Sequence, residues 1–285
     1  VTTEAGPRVL ITNDDGIDSE GLAALARCVI DRGLATVIAA PATEASGTSA
    51  GLTAAEGDNR RVQVEKRTLP GLDDIETYAV AAHPAFIVLV ACEGGFGAKP
   101  DIVLSGINRG ANVGRAVLHS GTVGAALTAA VNGVRAMAVS LDGGFTGETD
   151  HHWDTAARVV GSLLPMLREM DEGTVLNLNI PDVPLDSELR LAWASLAEFG
   201  TVRSRVERVE DGIIETTAVT VDGEAEPGTD AALLAQGYAT LTPLHSVTED
   251  NSHPRPPLPP QVDPFTTPPQ PLQTRQPPTS PRTVT

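Results

Sequence analysis

The sequence predicts an α/β fold: a doubly wound unit whose mostly parallel sheet is covered by helices on both faces. Three observations predict it. Short apolar runs rich in Val, Ile and Leu recur along the first 180 residues, Ala- and Leu-rich helical patterns lie between them, and the pattern changes character after residue 187. Continuous apolar strands, rather than alternating ones, indicate burial on both faces, which is the condition of a parallel sheet inside two helical layers.

In order, the strand candidates are RVLIT (8–12), ATVIAA (35–40), DIVLS (101–105), AMAVSL (136–141) and VLNLNI (175–180), with helices expected at 19–31, 84–92, 121–132 and 151–170. Beyond them RLAWASL, RVERVE and IIETTAVTV suggest antiparallel strands or hairpins, DAALLAQ a short helix and YATLTPL a last strand. This organisation puts one domain at 1–253, with a core at about 8–182 and a β-rich arm at about 187–246. Residues 254–285 are expected to be a disordered tail: from His253 onward the chain holds twelve of its 22 prolines and almost no aliphatic periodicity.

The chain has 285 residues and is 41% hydrophobic, enough for a sizeable core. No stretch approaches the roughly 20 apolar residues of a membrane span and no charged-then-apolar leader stands at the start, so the expectation is a cytoplasmic protein. Cys28 and Cys92 lie far apart, without metal-ligand spacing, and read as packed thiols. A formal charge of −17 disfavours nucleic-acid polymers and anionic membranes. A small anionic substrate is compatible with that charge only where a cation or backbone dipoles offset the field.

Ligands in open α/β sheets bind beyond the carboxyl ends of the strands, and three polar segments fall there. The first is Asn13-Asp14-Asp15-Gly16. Two adjacent carboxylates offer hard oxygen ligands to a divalent cation, and the same four residues equally suit a solvated turn with Asp18 as helix N-cap. The second, residues 40–53, is rich in small hydroxyl residues, so Ser46, Thr48 or Ser49 can approach a metal or phosphate. The third, residues 105–130, carries Asn108 and Asn112 among glycines and enters a helix at Ser120-Gly121-Thr122. A helix start with free amides and two hydroxyls makes an anion site. The spacing fits neither G-x-G-x-x-G nor G-x-x-x-x-G-K-[ST], which sets aside dinucleotide and P-loop readings. Together the segments suit metal-assisted hydrolysis of a phosphomonoester.

At these residues the sequence resembles the SurE family of survival-protein phosphatases, described as 5′/3′-nucleotidases. The matching runs are TNDDGID, SGTSAGLT, PDIVLSGINRGANVGRAVLHSGTVGAAL, AVSLDG, LNLNIPDVPL and GYATLTPLH, in family order from about residue 8 to 246. The resemblance implies a Rossmann-like three-layer core, a β-rich dimerisation region and a homodimer or homotetramer. It implies one divalent metal per subunit, Mg²⁺ or Mn²⁺ with Ca²⁺ as a crystal substitute, held by Asp14, Asp15, Ser46 and Asn108. Asp14 and Asp15 are the implied catalytic carboxylates, and Asn13, Asn112, Ser120, Gly121 and Thr122 the implied phosphate contacts, for a small phosphomonoester substrate such as a nucleoside 5′- or 3′-monophosphate.

Departures lie elsewhere. Where relatives commonly read G-T-P-x-D-C this chain has Ala82-His83-Pro84-Ala85-Phe86-Ile87, which makes His83 and Phe86 the candidates for setting the leaving-group preference, with His83 also readable as a helix-start residue held by packing before Pro84. The change also admits a specialised phosphatase acting on a non-nucleotide or modified-nucleoside phosphate, or a non-catalytic scaffold. HHWD, residues 151–154, reads as the start of a helix, and Arg109 and Arg115 as solvated arginines flanking the glycine-rich loop.

Overall fold

The computed structural model describes residues 6–52, 61–143, 150–198, 202–210, 213–220 and 226–249. The first strands and helices follow the expected order: β1 (Arg8–Thr12), α1 (Glu20–Ile30), β2 (Ala35–Pro41), then β3 (Val64–Arg67), β4 (Glu76–Val80) and α2 (Pro84–Cys92). The central elements are β5 (Ile102–Arg109), a 3-10 helix (Gly114–His119), α3 (Gly121–Val131), β6 (Arg135–Asp142), α4 (Trp153–Glu169) and β7 (Val175–Pro181). The chain then forms β8 (Arg190–Trp193), β9 (Val202–Glu210), β10 (Ile213–Thr220), α5 (Asp230–Ala235) and β11 (Tyr238–Leu244).

Nine strands form one sheet in the order β3-β4-β2-β1-β5-β6-β7-β11-β8. The block from β4 to β7 is parallel, and antiparallel pairing begins where β3 joins β4 and where β11 joins β7. The period-2 geometry of a strand splits β1 between two cores. Val9 and Ile11 pack with Leu22, Leu25 and Val29 of α1 and Val160, Leu164 and Leu167 of α4. Leu10 packs on the opposite face with Ile87 and Val88 of α2 and Val123, Ala126 and Ala129 of α3. Each such aliphatic side chain removed from water contributes about 1.5–3 kcal/mol.

Three details differ from the sequence reading. Ser19, not Asp18, caps α1, accepting from the Leu22 amide, while Asp18 pairs with Arg67 at 3.1 Å. The strands β3 and β4 were not expected, because VEKR is mostly exposed and charged and ETYAV is short. The segment after residue 187 is not one separate lobe: β8 and β11 complete the main sheet, and β9 with β10 forms a two-stranded antiparallel hairpin. The proline-rich tail lies outside the described residues.

Candidate active site

The strand β1 has β2 on one side and β5 on the other, so the chain reverses its direction of winding there, at the place where an open sheet leaves a crevice. Asn13 to Gly16 follow β1 at that point. Asn13 is fully buried, and its amide nitrogen donates to the Gly16 carbonyl (2.9 Å) and to Ser19 Oγ (2.7 Å), closing the turn. Gly16 has φ +98°, a conformation that favours glycine.

Asp14 is almost fully buried, and the Thr122 hydroxyl donates to its Oδ1. A Cβ on Gly121 would sit 2.8 Å from Asp14 Oδ2, so the glycine at the start of α3 is what lets the carboxylate reach that helix. Burial raises the Asp14 pKa, opposed by hydrogen bonds from the Thr122 hydroxyl and backbone. Asp15 is pushed up to about 7, first by burial and then by the Asp14 charge, with the Arg109 backbone and guanidinium working the other way.

The donors present fit a hard divalent cation. Asp15 Oδ2 and Asn13 Oδ1 are buried without a hydrogen-bond partner, an arrangement that costs free energy unless something positive faces the oxygens. Among the described residues no three His, Cys, Asp or Glu side chains converge, so any complete set must draw on neutral oxygens as well as this pair. Asn108 stands near the end of β5, its side-chain nitrogen donating to the Gly110 carbonyl (2.7 Å), which leaves its oxygen available. Ser46 is exposed and donates to Glu44 Oε1 (2.8 Å). Its loop is tied to the pair through the Ala45 amide, which donates to the Asp14 carbonyl at 2.7 Å.

Of the residues expected around a phosphate, Ser120, Gly121 and Thr122 open α3, Asn13 closes the turn after β1, and Asn112 precedes the 3-10 helix, each with engagements of its own. Ser120 caps the helix by accepting from the Val123 amide, and Thr122 holds Asp14. Asn112 is locked into a network the sequence reading missed: its backbone amide donates to Asn179 Oδ1, its side chain donates to Ser140 Oγ, and its carbonyl accepts from Asn177 and Asn179. The signal was legible in VLNLNI, where two asparagines recur at period 2 in a strand buried along its whole length.

A cleft of roughly 420 Å³ opens beside Asp15. Arg109 and Glu44 line it, together with Glu20, His151 and Trp153 at the amino-terminal ends of α1 and α4. HHWD does start a helix, with His152 at the N-cap of α4, and it also forms this wall. Asp182 organises it, accepting from His151 Nδ1 (2.7 Å) and from the His152 amide and ring (both 2.8 Å). Burial acts to raise the Asp182 pKa, but those hydrogen bonds outweigh it and hold the carboxyl below the usual range. His83 is the N-cap of α2, its Nδ1 buried without a partner, and Phe86 packs against the second core. Neither lines the cleft beside Asp15. Arg115, His119 and His245 are exposed.

Comparison with known proteins gives the same answer at three levels. The family described as "Survival protein SurE" matches residues 9–201. The chain is similar to the "5'-nucleotidase SurE" of Xanthomonas oryzae pv. oryzae (strain PXO99A), 33% identical over 251 residues covering 84% of this chain and 89% of that one. It is similar to the "5'-nucleotidase SurE" of Carboxydothermus hydrogenoformans, 35% identical over 244 residues covering 84% and 90%. Among solved structures, the Sure protein from Aquifex aeolicus superimposes with a TM-score of 0.67 at 28% identity, covering 84% of this chain and 93% of its own.

Proposed function

The chain belongs to the SurE family, and from that premise we propose that it is a divalent-metal-dependent phosphomonoesterase that hydrolyses the phosphate ester of nucleoside 5′- or 3′-monophosphates. The observation that carries this reading is the adjacent Asp14–Asp15 pair at the reversal of the sheet, with Asp14 buried against Gly121 at the start of α3 and an Asp15 oxygen without a hydrogen-bond partner.

Asp14, Asp15, Asn108 and Ser46 would hold Mg²⁺ or Mn²⁺, Ser46 by turning away from Glu44. The ion when bound supplies charge for the phosphoryl oxygens and lowers the pKa of water. The protein's own part is placement. The Thr122 hydroxyl fixes Oδ1 of Asp14, and the Asn112 network anchors the loop between β5 and α3. The first turn of α3, at Ser120-Gly121-Thr122, presents amide dipoles that favour a phosphate. That local field offsets the chain's formal charge of −17 for a small anion.

Among the described residues no helix is long and apolar enough to cross a membrane, and Cys28 and Cys92 are unpaired. Free thiols support a cytoplasmic location. Leu191 and Trp193 lie exposed on the edge strand β8, which supports a homodimer or homotetramer.

The test is phosphate release from a panel of monoesters with Mn²⁺ or Mg²⁺, with and without EDTA, for wild type and Asp14→Asn. Chelation and substitution are each expected to lower the rate by about 100-fold or more. Activity that survives both removes the metal from the reaction.

A further inference from the structure

We propose that the cleft beside Asp15, between the starts of α1 and α4, receives the leaving group, and that Trp153 is the specificity-determining residue there, stacking on the base of a nucleoside. This deepens the phosphomonoesterase reading and rests on it. The cleft is contiguous with the reacting end, because Asp15 and Arg109 line it together with His151 and Trp153. Its volume of roughly 420 Å³ falls within the range of small-molecule sites, about 300–1,000 Å³.

Its aromatic wall is fixed in place. Trp153 Nε1 donates to Glu20 Oε2 at 3.1 Å, and the indole meets the His151 ring edge-on at a centroid distance of 5.2 Å. Gly21 makes room for it, since a Cβ there would lie 3.0 Å from the indole. His151 is locked by Asp182 through Nδ1, and Gly143 leaves the space it occupies. The residue lines the cleft. A ring held rigidly before binding loses little entropy when a base stacks on it.

Charge selects the kind of leaving group. Asp15, Glu20 and Glu44 face the cleft against Arg109, while Asp18 is engaged by Arg67. A leaving group with a second negative charge is repelled there. A neutral, flat group rich in hydroxyl and amino donors is accepted, and a nucleoside is such a group. The chemistry of substrate choice therefore sits on the α1–α4 face of the sheet, across from His83 and Phe86 on α2.

Two measurements test this. The chain has two tryptophans, so in Trp193→Phe the fluorescence reports Trp153 alone. Adenosine is expected to quench it saturably and ribose 5-phosphate to leave it unchanged, with no turnover involved. In kinetics with Mn²⁺, Trp153→Ala should raise KM for AMP roughly ten-fold while kcat/KM for ribose 5-phosphate stays within about two-fold, and Trp153→Phe should recover most of the loss. Absence of adenosine quenching, or an equal loss on both substrates, overturns the proposal while hydrolysis by wild type leaves the phosphomonoesterase reading standing. Quenching by adenosine in a protein that hydrolyses no monoester does the reverse.

Discussion

At the scale of single residues, the free energy of the site is concentrated in two neighbouring carboxylates with unequal surroundings. Asp14 has a dedicated donor in Thr122, whereas Asp15 keeps an orphaned oxygen and a pKa near 7. A folded-state pKa above the ordinary 3.8 means that the contribution of Asp15 to stability is fully present below about pH 4 and is lost as the pH rises through about 7. The metal-free protein is therefore expected to melt lower at pH 8 than at pH 6, by an amount worth on the order of a few kcal/mol at most, and Asp15→Asn should flatten that slope. Adding Mn²⁺ at pH 8 should raise the melting temperature of wild type and not of Asp15→Asn. Melts followed by circular dichroism decide it, and parallel curves for the two proteins would sink the argument. The carboxylates themselves were legible in the sequence, since an apolar strand running into Asp-Asp-Gly is a local pattern. Their unequal status was not, because it depends on a hydroxyl 108 positions away.

At the scale of elements, the helices nearest the site are built to let backbone come close. A Cβ on Gly124 of α3 would stand 2.4 Å from the Ser49 carbonyl oxygen, and one on Gly21 of α1 2.2 Å from that of Ile107. Helix propensity alone favours alanine over glycine by about 1 kcal/mol, yet backbone on backbone has no side chain that can yield. Gly124→Ala is accordingly expected to destabilise by roughly 1–3 kcal/mol and to reduce turnover, because the loop carrying Ser46 must lift from α3. Urea unfolding alongside phosphate release checks it, and a stabilised, fully active variant would show that the loop is free to move. The strong strands and the four long helices were readable from continuous apolar runs. The edge strand β3 was not, since four mostly exposed residues carry no burial pattern.

At the scale of the whole molecule, one buried carboxylate joins parts that are distant in sequence. Asp230 is fully buried; its Oδ2 accepts from the Gly114 amide and its Oδ1 from the amides of Ala197 and Ala231. It thereby ties the 3-10 helix before α3 to α5 and to the segment that follows β8. Asp230→Ala leaves amides of all three segments without an acceptor and is expected to cost on the order of 3 kcal/mol or more. The loosening should reach Asn112, so kcat should fall even though Asp230 lies outside the proposed metal- and phosphate-binding set. A variant with unchanged melting temperature and turnover would show that the arm is not coupled to the core.

The sequence by itself determined the layered α/β core, the identity of the carboxylate pair and the helix start beside it, because each is written in a few consecutive residues: apolar runs, Asp-Asp-Gly, Ser-Gly-Thr. The partners were decided only by the tertiary structure. Thr122 against Asp14, the asparagine layer under Asn112, Asp182 behind His151, and Trp153 beside the cleft that Asp15 lines all bring together residues from separate elements. Which of those meet is set by strand order and by which face of the sheet each helix covers, and those follow from burying two cores at once rather than from any local pattern.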